Sequence, residues 1–157
     1  MHLEYFKLID RIVDLNLREK TLRAEAVVPQ ASTIFEGHFP GRPLMPGVLL
    51  IEAMAQTSGW LVIALTGFER MPFLAAVKEA KLRTFVEPGE TLSVFSNLVH
   101  EGSGFAVTSA KIVRNGTTVC NADITFRVMP FPDAVFRASM QRVATEISFP
   151  VKARADD

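Results

Sequence analysis

A run of twenty residues, 46–65, dictates what this chain can become: PGVLLIEAMAQTSGWLVIAL is apolar at most positions, yet it holds Glu52, Gln56, Thr57, Ser58 and Gly59. As a helix it would be roughly 30 Å long, enough to cross a bilayer. A carboxylate near the middle of a lone span costs about 3 kcal/mol on insertion. The stretch before the run is dense in Pro and Gly, and the stretches after it read as strands. The expectation is therefore no membrane span but a deeply buried helix, which must be covered by the rest of a single domain of 157 residues.

Strands supply the cover. Residues 21–28 alternate, with Leu22, Ala24, Ala26 and Val28 on one face and Arg23 and Glu25 on the other. Residues 73–86 are broadly extended and end at Glu87-Pro88-Gly89-Glu90, a turn. Strands follow at 91–99, 105–114 and 118–128, joined by Gly102-Ser103-Gly104 and by Asn115-Gly116, a strong hairpin signal. In the last strand Cys120, Ala122, Ile124, Phe126 and Val128 share a face, so Cys120 reads as a packed small hydrophobe rather than a nucleophile. One long apolar helix with several long strands predicts an α+β fold, a curved antiparallel sheet wrapped around the helix. Residues 5–14, with Phe6, Ile9, Ile12 and Val13, suit a short helix or an irregular opening element. Beyond Pro130 and Pro132, residues 133–147 carry Phe136, Met140, Val143 and Ile147 in one stripe. That predicts a second helix docked on the protein's own body, the alternative being a helix that receives a partner. The chain thus divides into a domain of residues 1–130 and a helical extension of residues 131–157.

Composition excludes several classes. Seventeen basic and seventeen acidic residues cancel, which argues against nucleic-acid binding. One cysteine and three scattered histidines make neither a disulfide framework nor a metal site, so no metal or cofactor is expected. The start, MHLEYFKLIDRIVDLN, lacks the uninterrupted apolar core of a secretory signal. The expected compartment is the cytoplasm, or an organelle after removal of a transit peptide. No dinucleotide-binding, phosphate-loop or nucleophile-elbow pattern is present.

Within the apolar run Glu52 and Gln56 are four apart and share a helix face. A carboxylate there either pairs with an internal cation or lines a cleft as a proton donor or acceptor. The preceding loop bears on the choice. His38 sits in Glu36-Gly37-His38-Phe39-Pro40-Gly41, and Gly37, Pro40, Gly41, Pro43, Pro46 and Gly47 restrict the backbone up to the helix. A pinned histidine near a buried glutamate fits an acid–base pair. Pro46 suits the first turn of the helix. Gly47 follows it, where N–H groups lack intrahelical partners and the dipole is positive, so its N–H suits a developing oxyanion. Together these parts suit removal of a proton next to a carbonyl and protonation of a leaving group.

The unbroken block of residues 37–56, GHFPGRPLMPGVLLIEAMAQ, resembles the signature of the FabZ-type (3R)-3-hydroxyacyl-acyl-carrier-protein dehydratases. Residues 5–12 resemble the family's opening, and residues 73–92 its middle strands. The resemblance implies the hotdog fold and reversible dehydration of a 3-hydroxyacyl thioester to the trans-2-enoyl thioester without a cofactor. It implies that His38 is the catalytic histidine, Glu52 the catalytic acid and Gly47 the backbone donor to the thioester oxygen. Glu52, where FabA-type relatives carry aspartate, favours the dehydratase-only type. It further implies a homodimer with histidine and glutamate from opposite subunits, dimers that assemble into hexamers, and an acyl carrier protein as partner. Phe39, Pro46, Val48 and Gln56 are the expected substrate-binding residues. Leu50, Met54, Trp60, Phe73 and Phe85 are further candidates for a dry tunnel, and Lys81 and Arg83 for docking of the acidic carrier, a solvated strand face being the alternative. Ala76 and Lys78 depart from the family's glycine and aspartate. The extension runs past the usual family end, either as a cap on the tunnel or as the mark of a paralogue serving an unusual acyl chain. Two rival functions remain: a thioesterase on the same fold, which would not need His38, and a non-enzymatic acyl-carrier-binding module.

Overall fold

The computed structural model describes residues 1–150. Residues 151–157, the end of the expected extension, lie outside the described residues. After a short 3-10 turn at Leu3–Tyr5 the chain forms β1 (Arg11–Asn16), β2 (Thr21–Val27), α1 (Thr33–Gly37) and α2 (Gly47–Leu65). Then come β3 (Arg70–Leu82), β4 (Thr91–Gly102), β5 (Phe105–Arg114), β6 (Thr117–Pro130) and α3 (Ala134–Glu146). The six strands make one antiparallel sheet in the order β1-β2-β4-β5-β6-β3. α2 packs against β2, β3, β4, β5 and β6.

The expected division of faces holds. Leu22, Ala24, Ala26 and Val28 are buried along and just after β2. Cys120, Ala122, Ile124 and Phe126 are buried along β6, and burial pushes the Cys120 thiol up to about 11, as befits a packed hydrophobe. These chains meet Met54, Leu61 and Ile63 of α2 in one core, each large aliphatic or aromatic side chain contributing about 1.5–3 kcal/mol. The polar residues of α2 find partners within the protein. Thr57 Oγ1 donates to the Ala53 carbonyl at 2.9 Å, and Ser58 and Ser96 share a hydrogen bond of 2.8 Å between helix and sheet. α2 is long and apolar enough to cross a membrane, but 67% of its apolar window is buried inside this fold. Asn115 and Gly116 both adopt positive φ, 49° and 78°, the geometry of a two-residue hairpin turn. Gly67 adopts φ 60°, and Phe68 N–H reaches back to the Ile63 carbonyl at 2.9 Å, which ends α2.

Of the two readings of residues 5–14 the irregular opening element holds, from the end of the 3-10 turn to Asp10, and β1 then begins at Arg11. Three expectations need correction. The loop before α2 contains α1, a single helical turn capped by Ser32. Pro46 is the N-cap of α2 rather than its first helical residue. β3 stops at Leu82, with register shifts between Leu74 and Ala76 and between Lys78 and Lys81, so the departures at 76 and 78 fall where the strand bulges. The stripe of α3 does dock on the protein's own body. Ile147 is buried, its carbonyl accepts from Ile12 N–H at 2.7 Å, and the Phe136 ring lies 6.5 Å from that of Phe73.

Candidate active site

His38 is placed by a chain of short-range bonds that begins at the N-terminus. Glu4 Oε1 accepts from Ser32 Oγ at 2.6 Å and from Thr33 N at 2.8 Å, which ties the first residues to the start of α1. These donors, Ser32 first, hold the Glu4 carboxyl down at about 2. His38 is the C-cap of α1, and its N–H reaches the Ile34 carbonyl. The following turn closes on itself through Phe39 and Arg42, which exchange backbone bonds of 3.0 and 2.9 Å. Leu44 N–H donates to the His38 carbonyl at 2.9 Å, and Met45 N–H ties the loop to the Val86 carbonyl at 2.8 Å.

The imidazole is fixed as firmly as the backbone. His38 Nδ1 lies 2.9 Å from the Leu44 carbonyl oxygen. A carbonyl only accepts, so Nδ1 carries the hydrogen and Nε2 keeps its lone pair in the neutral ring. The Phe39 ring stacks on the imidazole at 4.1 Å. His38, Phe39, Leu44, Met45, Gly47 and Leu50 line a cavity of about 450 Å³, together with residues 82–85. Gly47 opens α2, and no hydrogen bond to its N–H is formed among the described residues. A Cβ at Gly47 would collide with Leu82 Cδ1, so glycine lets the Leu82 side chain, which also lines this cavity, pack directly against the helix start.

Glu52 lies elsewhere. Five residues on from Gly47, it is turned about 140° around the helix, since one turn takes 3.6 residues. It lines a second cavity, of about 360 Å³, between α2, the N-terminal segment, β3 and α3. It has no ion-pair partner within 4 Å among the described residues; its contact is Gln56 Nε2, which donates to Oε1 at 3.3 Å. Gln56 is itself held, for Nε2 also donates to the Phe6 carbonyl at 2.8 Å and Oε1 accepts from Leu8 N–H at 3.1 Å. Of the two fates open to the carboxylate, the internal ion pair is not formed, and Glu52 lines a cleft.

One chain therefore brings His38 and Gly47 together and holds Glu52 apart from them. Phe39, Leu50 and Phe85 join His38, while Gln56 and Trp60 join Glu52. Pro46 is buried and Val48 is exposed, and neither lines either cavity. Met54 is wholly in the core, and Phe73 lies outside both cavities. Lys81 and Arg83 are exposed; Arg83 lines the His38 cavity and donates to Asn121 Oδ1 at 3.0 Å. Met140, Val143 and Ile147 of the extension line the Glu52 cavity, which the stripe in α3 foreshadowed without saying what it would cover.

The FabA-like domain family matches residues 1–123. The 3-hydroxyacyl-[acyl-carrier-protein] dehydratase FabZ of Lactiplantibacillus plantarum is 36% identical over 121 residues, covering 76% of this chain and 82% of that protein. The enzyme of the same name from Shewanella frigidimarina is 36% identical over 123 residues, covering 76% and 80%. Among solved structures, a conserved protein of Pseudomonas aeruginosa superposes with TM-score 0.63 at 20% identity, covering 80% of this chain and 91% of that one. A mutant thioesterase of the same organism gives TM-score 0.61 at 14% identity, covering 82% and 85%. These structural likenesses speak for the shared fold alone.

Proposed function

Because the chain belongs to the FabA-like family, in its FabZ-type hotdog branch, we propose that it catalyses the reversible dehydration of (3R)-3-hydroxyacyl-[acyl-carrier-protein] to the trans-2-enoyl thioester in cytoplasmic fatty acid or lipid synthesis. The observation that carries the reading is the imidazole whose Nδ1–H is bound to Leu44, leaving Nε2 as a base at the cavity that Gly47 also lines. In the forward direction His38 Nε2 takes the proton from C2 of the substrate. The electron pair moves into the C1–C2 bond, and negative charge collects on the thioester oxygen. Gly47 N–H, at the positive end of α2, steadies that charge. The pair then returns to form the C2–C3 double bond as the C3–O bond breaks, and Glu52 gives its proton to the departing hydroxyl, which leaves as water. The return of a proton from His38 to Glu52 closes the cycle.

The set is completed by a second copy of the chain. His38 and Glu52 open into separate cavities here, so a homodimer with the His38 cavity of one protomer against Glu52 of its partner unites them. β3 supports this. It is an edge strand, and Leu74 and Leu82 on it are 50% and 51% exposed, an apolar edge that suits pairing with another copy. Further assembly into hexamers would build on that dimer. Arg83 at the His38 cavity, with Lys81 beside it, offers positive charge to an acidic carrier protein. Phe39 stacks on His38 beside the substrate's path, Gln56 steadies Glu52, and Pro46 and Val48 flank Gly47 at the helix start. Residues 1–130 form the dehydratase domain and 131–157 its extension.

The test is direct. The protein is incubated with 3-hydroxyacyl carrier protein and the acyl group is weighed by mass spectrometry. Loss of one water is the expected result. Release of free thiol without enoyl product would replace this reading with a thioesterase, and carrier binding with an unaltered acyl group would leave only a binding module.

A further inference from the structure

The cavity at Glu52 extends well beyond the carboxylate. Glu52, Gln56, Gly59 and Ile63 all line it and lie along one side of α2, so it follows roughly 16 Å of helix axis. Its polar residues on α2 stand at one end, and the rest of that stripe is apolar or bare. At Gly59 a Cβ would rest in ordinary contact 3.6 Å from Pro72 Cγ, so glycine adds no more than a methyl's width between α2 and β3. The outer wall comes from α3, which lies wholly past the residues that match the family. Met140, Val143 and Ile147 face the cavity from there.

This wall is fastened along its length. Lys7 Nζ bonds Glu146 Oε2 at 2.7 Å, Arg137 bonds Glu69 at 3.3 Å, and the Phe149 ring after the helix lies 5.4 Å from Trp60. Apart from Glu146, which lines the cavity paired with Lys7, the α3 side of it is apolar, and a fixed wall of that kind facing a channel that starts at a proton donor has a use in the proposed reaction. Once C3 of the substrate is held at Glu52, the remainder of the acyl chain needs a dry place to lie.

We propose that α3 is the end wall of the acyl-chain chamber and that Met140 and Val143 set the longest acyl chain the enzyme accepts. The proposal rests on the dehydratase reading above for its substrate, but the chamber can be probed without catalysis. Trp60 lines it and is the single tryptophan of the chain, so its fluorescence reports occupancy.

The experiment uses the full-length protein and its Met140→Phe, Val143→Phe and Met140→Ala variants. Turnover is measured on pantetheine thioesters from 3-hydroxybutyryl to 3-hydroxystearoyl. Trp60 fluorescence is titrated with the matching saturated acyl thioesters. In Met140→Phe and Val143→Phe, kcat/KM for the longest accepted chains should fall at least about tenfold, the scale of steric overpacking, with short-chain turnover within about twofold. Met140→Ala should move the optimum to longer chains. The fluorescence titrations should shift in the same order. Folded variants with an unchanged length profile in both readouts overturn the proposal. A wild-type protein that dehydrates no chain would remove the dehydratase reading, and the fluorescence series would still decide the chamber. A length-dependent signal displaced by Met140→Phe upholds it, and a signal that ignores both chain length and Met140 overturns it.

Discussion

α2 and α3 are both helices packed on the same body, and they are held by different physics. α2 buries twelve of its nineteen residues, has no charged residue but Glu52, and lies within the wrap of the sheet. α3 buries only Ala144 of its thirteen and is fastened by a cap at Asp133, by ion pairs at Lys7 and Glu69, and by aromatic contacts at its ends. The core of the protein cannot exist without α2, whereas α3 lies over one side of a core that is already closed elsewhere. The difference suggests a division of labour. On the proposed reading, chemistry sits at the element the core cannot lose, and substrate choice at the one laid over it.

The largest effects should follow from the chemical groups around α2. His38→Ala and Glu52→Gln should each lower dehydration by at least about 10²-fold while circular dichroism and melting remain those of the wild type, the usual scale for a positioned base or acid. Near wild-type turnover in folded Glu52→Gln would sever α2 from the chemistry, and in folded His38→Ala it would remove the imidazole as the base. Stability should divide the helices next. Met54→Ala, in the fully buried face of α2, should cost about 2–5 kcal/mol in urea unfolding. Asp133→Ala removes the cap that accepts from Phe136 N at 2.7 Å, and should cost about 1 kcal/mol. Hydrogen exchange should show that loss within α3 and leave α2 as protected as before. Loss of protection in both helices would mean that they fold as one unit.

The smallest effect concerns pH. Glu4 is held at about 2 by Ser32 and the other donors at the start of α1. Its folded value lies below its unfolded one, so its contribution is present above the ordinary carboxylate range and is lost as pH falls towards 2. Wild type should therefore exceed Glu4→Gln in stability at neutral pH, and the two should converge in acid. Parallel curves across that window would remove Glu4 as the anchor of the His38 loop.

The same contrast governs what could be read from the residues. The alternation of Leu22, Ala24 and Ala26, the Asn115-Gly116 turn and the apolar run of α2 are signals repeated over many positions, so the sheet-wrapped helix was legible. β1 was not, because it is a short edge strand whose register shifts between Ile12 and Asp14, which breaks the alternation. α1 is five residues long and depends on Ser32 and on the distant Glu4, neither of which carries a periodic signal. His38, Gly47 and Glu52 could be picked out by residue type, and the 140° turn from Gly47 to Glu52 was implicit in their spacing. Their separation into two cavities was not legible, because it depends on where the N-terminal segment and Leu82 come to rest. The α3 stripe announced a buried face, but only packing reveals that this face meets Glu52.

The central claim is that one chain's imidazole works with another chain's carboxyl. Purified His38→Ala and Glu52→Gln, each inactive alone, should be unfolded together and refolded as a mixture. A site shared between protomers predicts recovery of roughly a quarter of wild-type dehydration, because half the symmetric dimers formed at random are mixed and each mixed dimer holds one intact site. A refolded mixture that contains mixed dimers yet is no more active than its two components would contradict it.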